Sequence, residues 1–185
     1  MRIGVFAPLS YGVHERVTLS THPILDLLLT PNISARIKII DSRLTVSAAA
    51  AFTQSFFGDP DTPAEGQTRI FGIASFIATE RVILTTTWGI AQELTEETQT
   101  TEGSLSAHYR LDQKNIVMVQ GGVSKSLDVR KPLKPRGAIV YALSLDAFKA
   151  GAGVAFDHLP DSLGSVPVPN SDLEIVPYVD MWWSF

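Results

Sequence analysis

The chain has no cysteine and little charge. The absence of cysteine excludes a disulfide-stapled scaffold, a cysteine-ligated zinc site and a cysteine nucleophile. Charged residues make up 18% of the 185 positions, against about 25% in ordinary soluble proteins, while 45% are hydrophobic. Such a chain is too apolar to be disordered. The shortage of charge suggests that much of its surface is covered by something other than water.

Long apolar runs and an excess of basic residues are also missing. The longest apolar runs reach about five residues, whereas a membrane-spanning helix needs roughly twenty, and no secretory segment is evident. Fifteen Lys and Arg against nineteen Asp and Glu give a net charge of −4, which disfavours a strongly basic nucleic-acid-binding protein. We therefore expect an intracellular or intraparticle protein without a membrane partner.

What is present is the two-residue alternation of β-strands, punctuated by turns. Residues 36–46 alternate apolar and polar side chains with one slip at Ile39 and Ile40, which indicates a β-bulge. Similar short segments follow along the chain, and Gly121-Gly122 is typical of a hairpin turn. The pattern predicts one all-β domain over 1–185, an antiparallel β-sandwich of the eight-stranded jelly-roll type. A few short helical turns are expected at 23–29, 88–97 and 145–150.

Motifs for catalysis and metal binding are absent from the sequence. The four histidines are far apart, and neither a nucleophile elbow nor a phosphate-binding loop occurs. Asp59 and Asp61 share a proline-rich loop that could hold a cation, but the two prolines explain the loop without one. We expect no enzyme activity, no cofactor and no metal.

Basic residues concentrate in one segment, opposed there only by Asp128. A segment of this density could contact phosphate groups in a salt-dependent manner, or it could be a solubilising loop. Aromatic residues do not interleave with it, so base stacking is not supported. The candidate nucleic-acid-binding residues are Lys125, Arg130, Lys131, Lys134 and Arg136.

The last residues of the sequence are rich in aromatics. Trp182 and Trp183 are adjacent and, in a strand, face opposite sides, so both cannot enter one core. Aromatic residues are favoured anchors of protein interfaces. We therefore predict that Trp182, Trp183 and Phe185 contribute to an interface for self-assembly.

The strand order and punctuation resemble the single jelly-roll coat proteins of small icosahedral RNA viruses, most nearly those of tymovirus type. The similar stretches are residues 17–21, 34–40, 44–46, the loop at 59–63, and residues 70–77, 117–123, 127–129 and 132–133, which include the Gly-Gly pair. The resemblance implies a capsid subunit that assembles in many copies into an icosahedral shell, in the virion and in the host cytoplasm, and holds viral RNA weakly. A shell subunit meets neighbours on several sides, which would account for the scarcity of charge.

Two other classes of function remain open on the sequence. A monomeric lectin-like or carbohydrate-binding β-sandwich would stack sugars on exposed aromatics such as Trp88, Tyr109 and Trp182. A barrel-type enzyme or small-ligand carrier would enclose a cavity, although histidine and carboxylate motifs for such a site are missing.

Overall fold

The computed structural model describes residues 2–4, 9–21, 30–56, 66–94, 98–127, 133–145, 148–156 and 175–184. In these residues the chain forms twelve β-strands and no helix. The strands are β1 (Arg2–Gly4), β2 (Leu9–His14), β3 (Val17–Thr21), β4 (Asn32–Asp41), β5 (Leu44–Gln54), β6 (Gly66–Ile77), β7 (Val82–Glu93), β8 (Gln99–Arg110), β9 (Asn115–Ser126), β10 (Lys134–Leu145), β11 (Phe148–Phe156) and β12 (Ile175–Ser184).

The strands form one closed antiparallel sheet. Each strand pairs with its neighbours in sequence, and β12 pairs with β1 to close the ring. The predicted all-β, antiparallel fold is confirmed. The two-sheet jelly roll is not confirmed, because a jelly roll places strands distant in sequence side by side. Here consecutive strands pair instead, so the described strands follow an up-and-down order around a barrel.

The two rims of the barrel carry connections of different length. Because strand direction alternates, successive connections fall on opposite rims. On one side, which we call the turn rim, the strands are joined by two to four residues, as at 42–43 and 111–114. On the other side, the loop rim, the connections have four to eighteen residues. Short connections leave no room for a crossover, and this favours pairing between neighbouring strands.

The register confirms one local prediction and corrects three others. The pairing of β4 with β5 shifts between Lys38 and Ile40, at the position of the predicted bulge. Gly121 and Gly122, however, lie inside β9 and not in a hairpin turn. Expected helical turns are also wrong where described: β7 continues to Glu93, and residues 145 and 148–150 belong to β10 and β11. Residues 23–29 lie outside the described part. No helix in that part is long and apolar enough to cross a membrane.

Small residues on the inner wall allow the strands to coil tightly. A Cβ atom added at Gly122 would lie 2.6 Å from the carbonyl oxygen of Gly103, closer than side chains tolerate, whereas one added at the outward Gly121 meets nothing within 4 Å. The inner wall of β9–β11 carries a buried cluster made of Met118, Ala138, Val140 and Ala155. Inward glycines and alanines therefore let neighbouring strands approach each other on the concave side.

Candidate functional site

The outer face of the barrel is predominantly apolar. Residues opposite each other in the register share a face, and this puts Ile70, Leu105 and Ile139 on the outside with exposed fractions of 71%, 59% and 55%. Exposed apolar side chains continue around the described ring at Tyr11, Leu19, Ile33, Ile37, Val119, Val154, Ile175 and Val179. Large apolar side chains that a two-layer fold would bury thus lie on the surface.

Polar side chains on the outer face are few and mostly near a rim. Gln92 and Gln99 are paired with each other at the loop-rim ends of β7 and β8. Thr86 lies nearer the middle, where its hydroxyl donates to the carbonyl oxygen of Ser104. A hydroxyl satisfied by a backbone carbonyl costs little in an apolar environment. The central part of the outer face therefore presents an apolar surface even where a threonine interrupts it.

Trp88 covers a gap in this surface. It lies in β7 between Gly72 of β6 and Gly103 of β8, which are its direct partners on the two sides. Its Cδ1 atom would be 3.6 Å from a Cβ atom built on Gly103, and the side chain is itself 65% exposed. An aromatic ring lying over glycines shields backbone that would otherwise be bare. Trp88 therefore packs along the sheet without entering an interior.

Aromatic side chains recur on the outer face close to the turn rim. Phe76 lies under the guanidinium of Arg43, whose carbon is 5.4 Å from the ring centre. The Tyr141 hydroxyl donates to the Asn115 side chain, and Tyr109 lies one strand away from that pair. Each of these rings faces outward; the two tyrosines carry a hydroxyl, and Phe76 lies against the Arg43 guanidinium. They form an amphipathic border between the apolar face and the turns.

The inner wall is built mainly from small and polar side chains, with larger apolar ones such as Phe71 and Met118 among them. Ser47 is only 1% exposed, and Ser106 and Ser124 are buried on the same side of the sheet. The inward Ser10 and Ser20 hydroxyls hydrogen-bond to each other across β2 and β3 at 2.9 Å. The outer face of the sheet is thus mainly apolar and the inner face mainly polar. In a water-soluble sandwich the inner faces are apolar instead.

A charged network crosses the inner wall from β6 to β10. Glu102, in β8, lies between two arginines: its Oε2 atom is 3.1 Å from Nη1 of Arg136, and its Oε1 atom is 3.8 Å from Nη2 of Arg69. The Arg136 side chain is 9% exposed and that of Glu102 is 22% exposed. Burial of these groups is tolerated because opposite charges meet. With two guanidinium groups and one carboxylate, the network has a net positive charge.

Other inward polar groups lie near this network. Nη2 of Arg36 donates to Oγ of Ser47 at 3.2 Å, and in the described residues Arg36 has no carboxylate partner. Nε2 of Gln120 donates to Oγ of Ser104 at 3.2 Å. The Gln120 Oε1 and Arg136 Nε atoms are buried without a hydrogen-bond partner. Uncompensated polar groups on the inner wall require water or a solute to satisfy them.

The turn rim carries a compact cluster around Asp112. Its carboxylate accepts hydrogen bonds from the Asn115 side-chain amide at 2.7 Å and from the backbone N–H groups of Lys114 and Asn115. The Asn115 amide, followed by these N–H groups, lowers the pKa of Asp112 because each favours the charged form. This cluster explains the tight connection between β8 and β9.

The predicted basic segment does not form one surface. Lys125 pairs with Thr101 and faces outward, whereas Lys134 and Arg136 pair with Ser124 and Gly122 on the inner wall. Arg136 is also held by Glu102. Arg130 and Lys131 lie outside the described residues. Their role in binding nucleic acid stays a prediction, but the described members are divided between two faces.

The other predicted positions are only partly described. Trp182 and Trp183 lie in β12, opposite Lys149 and Phe148 of β11. Phe185, Asp59 and Asp61 lie outside the described residues. Among the residues that are described, no group of three or more His, Asp or Glu side chains could hold a metal ion.

The chain has no match among protein-family models, curated proteins or solved structures. Its site must therefore be interpreted from its own geometry. Sequence reasoning found the alternating strands but assigned their apolar side to an interior. The signal that could have corrected this is the presence of charged residues inside the strands, such as Arg69 in β6 and Glu102 in β8, each the fourth residue of its strand.

Proposed function

We propose that this protein is a membrane-embedded barrel whose outer face contacts lipid chains and whose inner wall encloses a polar lumen. One observation carries the proposal. Apolar side chains cover the outside of consecutive strands around the ring, while arginine and glutamate lie inside. Contiguous apolar surface beyond a few hundred Å² is unusual on a water-soluble monomer and marks contact with a membrane or another protein.

The closed sheet meets the hydrogen-bonding requirement of a bilayer. Lipid chains offer no hydrogen bonds, so a spanning structure must satisfy its backbone groups internally, and a closed sheet does so. β12 pairs with β11 along its length and with β1 through residues 182–184, and β1 pairs with β2 at Arg2 and Ser10, so the described strands form a closed ring. The ring closure, which a two-sheet sandwich does not need, therefore supports the proposal.

The dimensions of the sheet agree with those of a bilayer. The longest strands have twelve residues, as β6 and β9 do. A strand of this length tilted by about 40° rises about 31 Å along the barrel axis. The hydrocarbon core of a typical bilayer is about 30 Å thick. The rim aromatics Phe76, Tyr109 and Tyr141 would then lie near the headgroup region, where amphipathic rings are favoured.

Energetics favour lipid over water at the outer face. Burying one Leu or Ile side chain is worth about 1.5–3 kcal/mol relative to leaving it in water. Ile70, Leu105 and Ile139 are each more than half exposed, and similar side chains occur on both sides of them. Transfer of this face into hydrocarbon would recover that free energy around the whole ring.

The hypothesis of a shell subunit, which is based on the sequence, remains a prediction. In it the apolar outer face would contact other copies of the chain instead of lipid. Copies of the chain could also cover apolar surface, but each protein contact covers a limited patch. Here the apolar side chains extend from Leu19 in β3 to Val154 in β11 without an intervening polar sector on the central outer face. Lipid would cover a surface of this extent without gaps, whereas separate copies of the chain would cover it only in patches.

Quenching by brominated lipids tests the proposal directly. The double variant Trp182→Phe, Trp183→Phe leaves Trp88 as the only tryptophan. After reconstitution into phosphatidylcholine vesicles brominated in mid-chain, we expect strong quenching of its fluorescence relative to vesicles of unbrominated lipid. The control is the same variant unfolded in urea with the same vesicles, where quenching should be weak.

Two results would overturn the proposal. One is a folded protein that stays in the aqueous fraction when vesicles are sedimented in alkaline carbonate. The other is a monodisperse lipid-free particle of megadalton mass by light scattering, which would support the shell hypothesis instead.

A further inference from the structure

We propose that the lumen conducts small inorganic anions in preference to cations, an inference that rests on the proposed membrane insertion. Its starting point is the size of the ring. Twelve strands at about 4.8 Å spacing and about 40° tilt enclose a circle about 24 Å across between opposite backbones. The inward side chains of the central wall include Ser47, Ala49, Ala91 and Ala138. Side chains of this size on opposite walls do not meet across such a width, and larger inward ones such as Phe71 and Met118 fill only part of it.

Inward side chains are also in contact with solvent. Arg36 pairs with Ala49 on the inner side of the sheet and is nevertheless an exposed residue. Thr87 and Ser104, which pair with each other on the inner wall, are partly exposed. An inward residue can be exposed only where water has access to the interior. Solvent therefore reaches part of the wall of β4–β8, while Ser47, Ala49 and Ala91 within it are buried.

The charge of this wall is opposite in sign to that of the whole chain. The full sequence carries a net charge of −4. On the inner side of β4–β10, however, basic groups outnumber acidic ones. The acidic side chains there are Asp41, Glu93 and Glu102, and the basic ones are Arg36, Lys38, Arg69, Arg110, Lys134 and Arg136.

The pairing of these charges leaves the excess at Arg36, midway along β4, and at the Glu102 network, whose members are the third or fourth residues from the loop-rim ends of their strands. Lys38 is neutralised by Asp41 at 2.8 Å. Glu102 is shared by two arginines, whereas Arg36 donates to a serine hydroxyl and has no carboxylate partner within the described ranges. Charged rings in a low-dielectric wall act on ions more strongly than the same charges in open water, and Arg and Lys rings favour anions. The Arg36 guanidinium and the network at Glu102 thus assign anions as the preferred solute.

Planar-bilayer recordings under a potassium chloride gradient test this inference, with chloride as the probe. The wild-type protein should form channels whose reversal potential is shifted from zero toward the equilibrium potential of chloride. Arg36→Gln should lower the chloride-to-potassium permeability ratio by about two- to threefold, because one of few uncompensated lumen charges is lost. Lys125→Gln is the matched control: it removes an equal charge from the outer face and should leave the ratio unchanged.

A second variant acts in the opposite direction. Glu102→Gln removes the acidic member of the network and should raise the same permeability ratio. Should this variant fail to fold, as judged by its circular dichroism, Arg36→Gln still decides the question because Arg36 lies outside the network.

The two proposals fail in different ways. Suppose that lipid quenching of Trp88 shows insertion, but the protein forms no channels, or channels selective for cations. This result would overturn anion conduction and would still support membrane insertion. An equal effect of Arg36→Gln and Lys125→Gln would also overturn it. Protein that does not insert overturns both.

Discussion

The two faces of the sheet have exchanged the roles that they have in a water-soluble fold. On the outside, the apolar side chain of Ile70 is 71% exposed; on the inside, the charged side chain of Arg136 is 9% exposed. A protein surrounded by water has the opposite distribution, because ionic side chains are almost never buried while large apolar ones usually are. Alternation in a strand therefore tells which residues share a face, but not which face meets water.

The largest expected effect comes from placing a charge on the outer face. Leu105→Lys puts an ammonium group at the middle of β8, and we expect it to lower the free energy of unfolding from lipid by about 2–4 kcal/mol. Thr87→Lys, on the inner wall beside it, is the matched control and should cost much less because water reaches that side. Urea titration in lipid vesicles measures both. Equal losses would mean that the two faces do not differ in solvent.

The next effect concerns curvature. Gly122→Ala should destabilise the barrel by about 1–3 kcal/mol, because its methyl group would press on the Gly103 carbonyl and overpack the inner wall. Gly121→Ala adds the same atom to the outer face, where nothing lies within 4 Å, and should be tolerated. The same urea titration compares the two neighbours. A tolerated Gly122→Ala would show that the concave side is not crowded.

A smaller effect is expected where Trp88 covers its glycine partners. Trp88→Leu should cost about 0.2–1 kcal/mol, the range of a cross-strand pair, because leucine shields less of Gly72 and Gly103. Ile70→Leu, an outward change opposite Ala50 and Ile90, is the control and should be near neutral. Equal stability of the two variants in lipid would mean that the Trp88 side chain does not stabilise the barrel by covering Gly72 and Gly103.

The smallest effect concerns the turn rim, where stability does not depend on the difference between the outer and inner faces. Because the folded-state pKa of Asp112 is lower than its ordinary value of 3.8, its carboxylate adds stability above that value. The contribution is lost as pH falls through the lowered folded-state pKa.

An NMR titration of Asp112 in micelles checks this assignment. Asn115→Ala should move the pKa of Asp112 back toward its ordinary value, since the Asn115 amide is the first cause of the shift. Tyr141→Phe removes the other hydrogen bond of Asn115 and should not change that pKa. A titration curve unaffected by Asn115→Ala would rule out the amide as the cause.

Local features of the fold were accessible from the sequence because they depend on neighbouring residues. The slip at Ile39 and Ile40 predicted the bulge between β4 and β5, and alternation predicted the strands themselves. Gly121-Gly122 misled because glycine is equally suited to a turn and to close packing inside a strand. Which of these applies depends on β8, whose Gly103 carbonyl lies against Gly122.

The arrangement of the candidate site could not be predicted from local pattern. Arg69, Glu102 and Arg136 are separated by more than thirty positions each and meet only because β6, β8 and β10 share one wall. The basic segment misled for a similar reason, because Lys125 and Arg136 are close in sequence but lie on opposite faces. The pairing register decides both cases, because it sets which residues of neighbouring strands share a wall. The sheet built in this way then closes where β1 meets β12.

That closure also has a consequence for how the protein folds. Among the described strands, every pairing except one joins consecutive strands, so hairpins can form early with little loss of chain entropy. The exception brings residues 2–4 beside residues 182–184 through only three register positions. The seam between β1 and β12 therefore requires the longest loop closure for a ladder of only three pairs, and we expect it to form last and to open first when the barrel is heated.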